Sequence, residues 1–416
     1  MFKKLVDIRK EEVKAVAWGW LYIFSLFLAY YVLRPIREEL GVAGGVDNLP
    51  WLFTGTLVAM LLLSPIYGYI VKNWSREKST AISYRFFMGI LAMFAFLLMT
   101  ASPAQHIWIG RAFFIFVSVF NLFVISVFWS FIVDVFNDEQ GKRLFGFLAA
   151  GATLGGIAGS SLTSALVTLI GQNWLLVISI LLLEVAVLAS KKLSRHSFND
   201  LKTETPKQAI GGGILSGLTH TFRSPYLMMI AAFMLINSIT QTFLYFQQAN
   251  IVEANFQDRA ERTIFFANVD LWVNVFTLIF QLFIVGKLIK KVGITFVLCA
   301  LPIVSILGFT TLAIYPTVAT LVVAQILRRV GNFGLSRPTR ELLFISTPRE
   351  DRFKAKNFID TVVYRGGDQI GSWTYAGLSA LGMGLTGISI FAIPLSAVWL
   401  GISVWLGKKQ SMLKDK

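Results

Sequence analysis

Cysteine is almost absent: the 416-residue chain has one, Cys299, set inside an apolar run. A disulfide needs two cysteines and a thiolate metal site more, so both are excluded. Histidine is nearly as scarce. His106, His196 and His220 stand apart with no ligand spacing. No catalytic constellation is present, and neither a metal nor a cofactor is expected. Charge is also thin, at 15% of residues against 55% hydrophobic, with a mean hydropathy of +0.66. Soluble domains carry about 25% charge. The length is therefore to be counted in membrane spans. Acidic residues are the scarcer sign, 23 against 38 Lys and Arg. The excess of +15 does not point to nucleic acid, because the basic residues gather in alternate loops, as they do on a cytoplasmic face.

What is abundant is apolar sequence. Runs long enough for the ~30 Å hydrocarbon core lie near 15–37, 51–71, 81–100, 107–133, 145–170 and 174–190. After a polar stretch, more follow near 225–247, 263–286, 293–315, 317–345, 357–381 and 386–406. Lys3, Lys4, Arg9 and Lys10 alternate with Asp7, Glu11 and Glu12 before a full-length span, so no cleavable signal is expected. Basic clusters at Lys72–Lys78, Lys142–Arg143, Lys191–Lys207, Lys287–Lys291, Arg349–Lys356 and Lys408–Lys416 all fall on one side. The expectation is an all-α membrane protein of twelve transmembrane helices in two six-helix pseudo-repeats, with both termini inside. The domains would be an N-terminal bundle over 1–190, a cytoplasmic linker over 191–223 and a C-terminal bundle over 224–416.

The halves repeat. Gly68 and Lys72 follow the second span as Gly286 and Lys290 follow the eighth. Lys142, Gly155, Gly159 and Ser160 recur as Lys354, Gly367, Gly371 and Ser372, each 212 positions on. Lys142 and Lys354, with the Gly-x-x-x-Lys pairs, are the candidate gate loops. Such parallel repeats resemble the layout of major facilitator transporters. Gly151, Gly155, Gly156 and Gly159 form a small-residue face suited to close helix packing. A phosphate-binding loop is excluded, because no strand precedes it. Phe is abundant, at 36 residues, and lipid-facing packing is the expected explanation. Trp18, Trp20, Trp51, Trp108 and Trp174 near span ends suit an interfacial belt.

In that layout the first, fourth, seventh and tenth spans line a central cavity. They carry Tyr30, Tyr31, Arg34, Arg37 and Glu38; Arg111, Ser118, Asn121 and Asp134; Asn237, Gln241 and Gln247; and Arg328, Arg329, Asn332, Ser336, Arg337, Arg340 and Glu341. Arg329, Asn332 or Phe333, Ser336 and Arg340 follow α-helical spacing on one face. A charge at the bilayer centre costs about 2.5–3.5 kcal/mol on insertion scales and marks a pathway or an internal ion pair. The arginines outnumber nearby carboxylates, which suits an anion held by planar guanidinium forks. Tyr30, Tyr31, Arg34, Arg37, Asn121, Gln241, Arg329, Asn332 and Arg340 are the candidate substrate-binding residues. Glu38, Asp134, Asp270, Glu341, Arg365 and Asp368 are candidates for coupling or ion pairing.

Leu33-Arg34-Pro35-Ile36-Arg37-Glu38-Glu39-Leu40, Phe128-Trp129, Pro338-Thr339-Arg340-Glu341 and Lys354-Ala355-Lys356 with Asp360 and Arg365 resemble the nucleotide (ATP:ADP) transporters of intracellular bacteria and plastids. The chain is similar above all to their short bacterial relatives. The resemblance implies a twelve-helix antiporter for nucleotides or related phosphates. It places the family's first-span basic residue at Arg37, its acidic neighbour at Glu38 and its eighth-span acid at Asp270. The fourth-span acid falls near Val117 and is missing, and the eleventh-span lysine falls on Asp368. Those departures weaken strict ATP:ADP exchange.

The leading reading is a secondary transporter of a small organic anion, nucleotide-like or phosphorylated, working by alternating access. It would be a monomer in the bacterial inner membrane, touching its substrate, lipid and a coupling proton. Proton-driven efflux of amphiphiles or lipids is the alternative within transport. A non-transporting receptor or scaffold is the alternative outside it.

Overall fold

The computed structural model describes residues 8–73, 76–196, 219, 221–283, 285–345, 347 and 349–414. Among them there is helix and no strand. Lipid offers no partner to a backbone N–H or C=O, and a helix satisfies both within its own segment. The helices are α1 (Val13–Ala43), α2 (Leu49–Asn73), α3 (Arg76–Thr100), α4 (Pro103–Val135) and α5 (Asp138–Ser194). After the central stretch come α6 (Pro225–Asn255), α7 (Arg259–Phe283), α8 (Val285–Ile314) and α9 (Val318–Gly331). The chain ends with α10 (Arg337–Ile345), α11 (Arg349–Phe358), α12 (Tyr364–Ala380) and α13 (Leu385–Lys414).

Ten of the described helical stretches are long and apolar enough to cross a membrane. One of them, Arg143–Ser194, bends at Gly171, where φ is 78°. That left-handed backbone suits a residue without Cβ. The bend falls between the runs expected at 145–170 and 174–190. The 357–381 run is outside the ten. Its α12 has 17 residues and carries Arg365 and Asp368.

By internal contacts the chain divides into two compact units. Unit 1 is Met1–Gly45, Thr54–Thr203 and Phe256–Val275, and unit 2 is Val46–Phe53, Glu204–Asn255 and Phe276–Lys416. The start of α7 thus goes with the first helices, and the start of α2 with the later ones. Residues 197–218 and 220 of the central polar stretch lie outside the described residues.

Glycine explains one packing that both units share. In unit 1, a Cβ on Gly155 would stand 2.5 Å from the Phe24 carbonyl oxygen, and one on Gly159 2.6 Å from that of Leu28 and 2.9 Å from Tyr31 Cβ. In unit 2, a Cβ on Gly367 would meet Leu235 O at 3.1 Å, and one on Gly371 would meet Ile239 O at 3.2 Å and Thr242 Cβ at 3.0 Å. The glycines are 212 positions apart, and their partners Phe24, Leu28 and Tyr31 precede Leu235, Ile239 and Thr242 by 211. The repeat in the sequence is therefore a repeat in contact: α5 on α1, and α12 on α6. Without hydrophobic drive between helices in lipid, close backbone approach supplies the dispersion contact that joins them.

Phenylalanine meets the expectation in part: Phe86, Phe96, Phe283 and Phe296 are exposed on the surface. Phe113, Phe114, Phe120, Phe128, Phe136, Phe233, Phe243, Phe246 and Phe309 are fully buried inside the bundles. Lipid and protein core are equally apolar, so a Phe run cannot tell one from the other. Trp51, Trp108 and Trp174 are exposed, as interfacial anchors are.

The start of α1 is tied down by charge. Glu12 is buried and accepts from Arg143 Nη2 at 2.7 Å, Gln140 Nε2 at 3.1 Å and the Arg9 amide at 3.0 Å. Burial works against the Glu12 carboxylate, but these donors outweigh it and hold it below its ordinary 4.5. A carboxyl depressed in this way stabilises the fold above its unfolded value and loses that contribution as acid protonates it. Melting curves should show stability falling below about pH 4.5, and Glu12→Gln should flatten that fall. For the glycine faces, Gly155→Ala and Gly371→Ala should each cost about 1–3 kcal/mol through overpacking. Gly89→Ala, where nothing lies within 4 Å, should leave the melting temperature unchanged or raise it.

Candidate functional site

Charge collects at one place in each unit. In unit 1, Arg34 Nη1 lies 2.8 Å from Asp270 Oδ1, and its Nε 3.8 Å from Glu38 Oε1. Arg37 Nη1 is 3.6 Å from Glu38 Oε1, with its guanidinium 4.3 Å above the Phe114 ring. Glu38 and Asp270 are both buried. Among the described residues, two cations thus face two anions here. Successive helix positions point about 100° apart, so Glu39 turns elsewhere. It is wholly buried and takes Arg259 Nε at 3.0 Å, Arg259 Nη2 at 3.2 Å and Gln172 Nε2 at 3.0 Å.

Tyr30 and Tyr31 are buried and meet edge to face at 5.4 Å, and Tyr31 also closes on Gly159. Arg111 caps the end of α1, donating to the Gly44 carbonyl oxygen from Nη2 at 2.8 Å and from Nε at 3.2 Å. Asn121 and Asp134 are half-buried on α4.

Unit 2 contains a cavity of about 410 Å³, within the size range of small-molecule sites. Met234 and Asn237 of α6 line it, with Asn332 and Phe333, then Arg337, Pro338, Arg340 and Glu341 of α10, and Asp360 and Tyr364. Two π-helical turns border it, Asn332–Ser336 and Ile359–Val363. Proline accounts for the first. Pro338 has no N–H, and its ring collides with the carbonyl four residues back, at Gly334. The helix relieves this by a π-turn, a feature frequent at functional sites.

That turn corrects the expected face. One inserted residue rotates the downstream positions by about 100°, so the line Arg329, Asn332, Ser336, Arg340 does not persist. Ser336 is buried at 3% exposure, and Arg337 takes its place in the lining. Arg329 is half-buried and outside the lining. Its neighbour Arg328 is the buried one. Of the expected residues, the cavity gathers Asn332, Arg340 and Glu341. From the other polar residues expected on the seventh and tenth spans it takes Asn237 and Arg337, and it adds Asp360 and Tyr364.

Its charges are partly matched. Arg340 Nη2 is 3.0 Å from Asp360 Oδ1, and Glu341 pairs with Lys356. Arg337 lies 4.7 Å over Phe333. Gln241 donates to the Tyr364 hydroxyl at 3.1 Å. Asp368 stands behind, between α12 and α6, accepting from Ser238 Oγ at 2.6 Å and Arg365 Nη1 at 3.3 Å. The side chains of Gly68, Lys72, Lys142, Gly286 and Lys290 lie outside the described residues, and Lys354 is half-buried.

Comparison with known proteins places this helical architecture. The sequence model of the Major Facilitator Superfamily matches residues 17–353. The chain belongs to that superfamily. It is a transporter rather than an enzyme, and an integral, multi-pass membrane protein. It is similar to ADP,ATP carrier protein 1 of Chlamydia muridarum, at 22% identity over 97% of this chain and 88% of that one. ADP,ATP carrier protein 1 of Chlamydia pneumoniae is 22% identical over 99% and 95%. Among solved structures, a bacterial homologue of the iron transporter ferroportin in an inward-facing state aligns with TM-score 0.67 and 13% identity, covering 97% of this chain and 98% of that one. A POT family transporter in complex with a conjugated peptide aligns at 0.64 and 11%, over 96% of each. These structural likenesses show the fold.

The Arg34–Asp270 pair is open to a direct check. Removing one partner of a buried pair costs about 3–5 kcal/mol, whereas replacing both by apolar residues is often neutral. Asp270→Ala should lower the melting temperature sharply, and Arg34→Met with Asp270→Leu should recover most of it.

Proposed function

We propose that this protein is a secondary transporter of a nucleotide or related phosphorylated anion, working by alternating access. The observation that carries this reading is the 410 Å³ cavity of unit 2, where Arg337 and Arg340 stand beside Phe333 and Tyr364. Guanidinium forks match phosphate oxygens, and aromatic faces suit a base. The names of the chlamydial relatives, ADP,ATP carriers, support the same substrate class. Among the described residues, Phe333 is the one phenylalanine of the lining, which argues against an amphiphile-efflux surface.

In this proposal twelve spans cross the bacterial inner membrane with both termini inside, an orientation that the loop charges favour. Arg34 and Arg37, balanced by Glu38 and Asp270, act as exchangeable pairs whose carboxylates give way when charge must move. Asp270 is the coupling acid of the first site, and Asp368 with Arg365 that of the second.

Proteoliposomes preloaded with ADP test the proposal through uptake of labelled ATP. Each charge-assisted hydrogen bond is worth about 1.5–3 kcal/mol, or roughly 10- to 100-fold in affinity. Arg337→Ala and Arg340→Ala should raise KM by that factor. Wild-type vesicles that take up no nucleotide, or variants with wild-type KM, would overturn the reading.

A further inference from the structure

Arg328 is 3% exposed, and among the described residues no carboxylate contacts it. Its acceptors are neutral and come from two helices. Nη1 donates to Ser305 Oγ of α8 at 2.6 Å. Nη2 donates to the Asn237 carbonyl oxygen at 2.8 Å, to Thr240 Oγ1 at 3.0 Å and to Asn237 Oδ1 at 3.4 Å. Trp399 of α13 covers the guanidinium at 5.6 Å. Arg328 does not line the 410 Å³ cavity; it lies behind Asn237, which does.

The two ends of the Asn237 amide are not equivalent. A guanidinium has donors and no acceptor, so it accepts only the oxygen end as a neighbour. With Oδ1 turned to Arg328, Nδ2 and its two hydrogens turn the other way. Asn237 is 2% exposed and belongs to the cavity lining, and the contacts it makes to Arg328 are through its two oxygens. The side of the amide turned away from Arg328 is where a cavity ligand can offer an acceptor. The carboxylates of the lining, Asp360 and Glu341, are held by Arg340 and Lys356.

We infer that Arg328 is a positioning residue: from behind the cavity it holds the Asn237 oxygen, so that the Asn237 amide N–H₂ faces inward as a donor to a substrate oxyanion. The inference rests on the cavity being the substrate site. It gives that site a selectivity for oxygen-rich anions beyond the charge of Arg337 and Arg340. A neutral amide fixed in one orientation discriminates acceptors from donors, where a loose one would not.

Purified wild-type protein is titrated calorimetrically with pyrophosphate and with ATP, alongside ligand-free melting curves. Asn237→Asp keeps the acceptor for Arg328 and replaces the donor by an oxygen. It should keep the ligand-free melting temperature and weaken both ligands about 10- to 100-fold. Arg328→Met with Asn237→Leu removes both polar partners together. It should fold and show the same loss, no larger than Asn237→Asp. Wild-type affinity in either variant would overturn the inference. Pyrophosphate binding that depends on Asn237, without any ATP binding, would support it while ending the nucleotide reading. No binding of either anion to the wild type would end both.

Discussion

A guanidinium inside hydrocarbon must find its acceptors within the protein, and that demand organises this molecule. Isolated, each would cost about 2.5–3.5 kcal/mol on insertion scales. Arg34 and Arg37 meet it with Glu38 and Asp270, and Arg340 with Asp360. Arg328 meets it with a carbonyl, an amide oxygen and two hydroxyls. The two solutions differ in what they leave behind. An ion pair cancels charge. A guanidinium satisfied by neutral groups keeps its charge in the fold and sets the orientation of the dipoles around it.

The glycine faces make these arrangements reachable. α5 and α12 approach α1 and α6 until backbone atoms touch, which lets side chains as short as Ser238 reach the neighbouring helix. Ser238 Oγ, packed against Gly367, donates to Asp368. Tyr31, packed against Gly159, lies 5.8 Å from the Arg34 guanidinium. The same packing device thus stands next to a charge in each unit. It is rigid, because a Cβ does not fit, and because side chains such as Ser238 and Gln241 bond across it.

Much of this was legible in the residues. The apolar runs mark the helices to within a few positions, because length against the hydrocarbon thickness is a strong constraint. The glycine repeat at Gly155, Gly159, Gly367 and Gly371 translates directly into contact. The face of α9 and α10 did not, because residue spacing carries no record of a π-turn. Pro338 hints at a break without saying how the helix phase recovers. Arg328 and Arg329 are adjacent in sequence and both precede the π-turn, so which one is buried is set by the packing of α9 on its neighbours. The pairing of Asp270 with Arg34 spans 236 positions and is set by tertiary packing alone. The abundance of Phe fits both exposed and buried positions, since lipid and core present the same solvent to a ring.

Whether the unit 2 cavity is where a phosphorylated anion is held can be tested most directly by an experimental structure of the protein with ADP bound. Phosphate oxygens are expected within hydrogen-bond distance of Arg337, Arg340 and the Asn237 amide nitrogen, with the base against Phe333 or Tyr364. Density for ADP elsewhere, with Arg337 and Asn237 making no contact to it, would contradict this assignment.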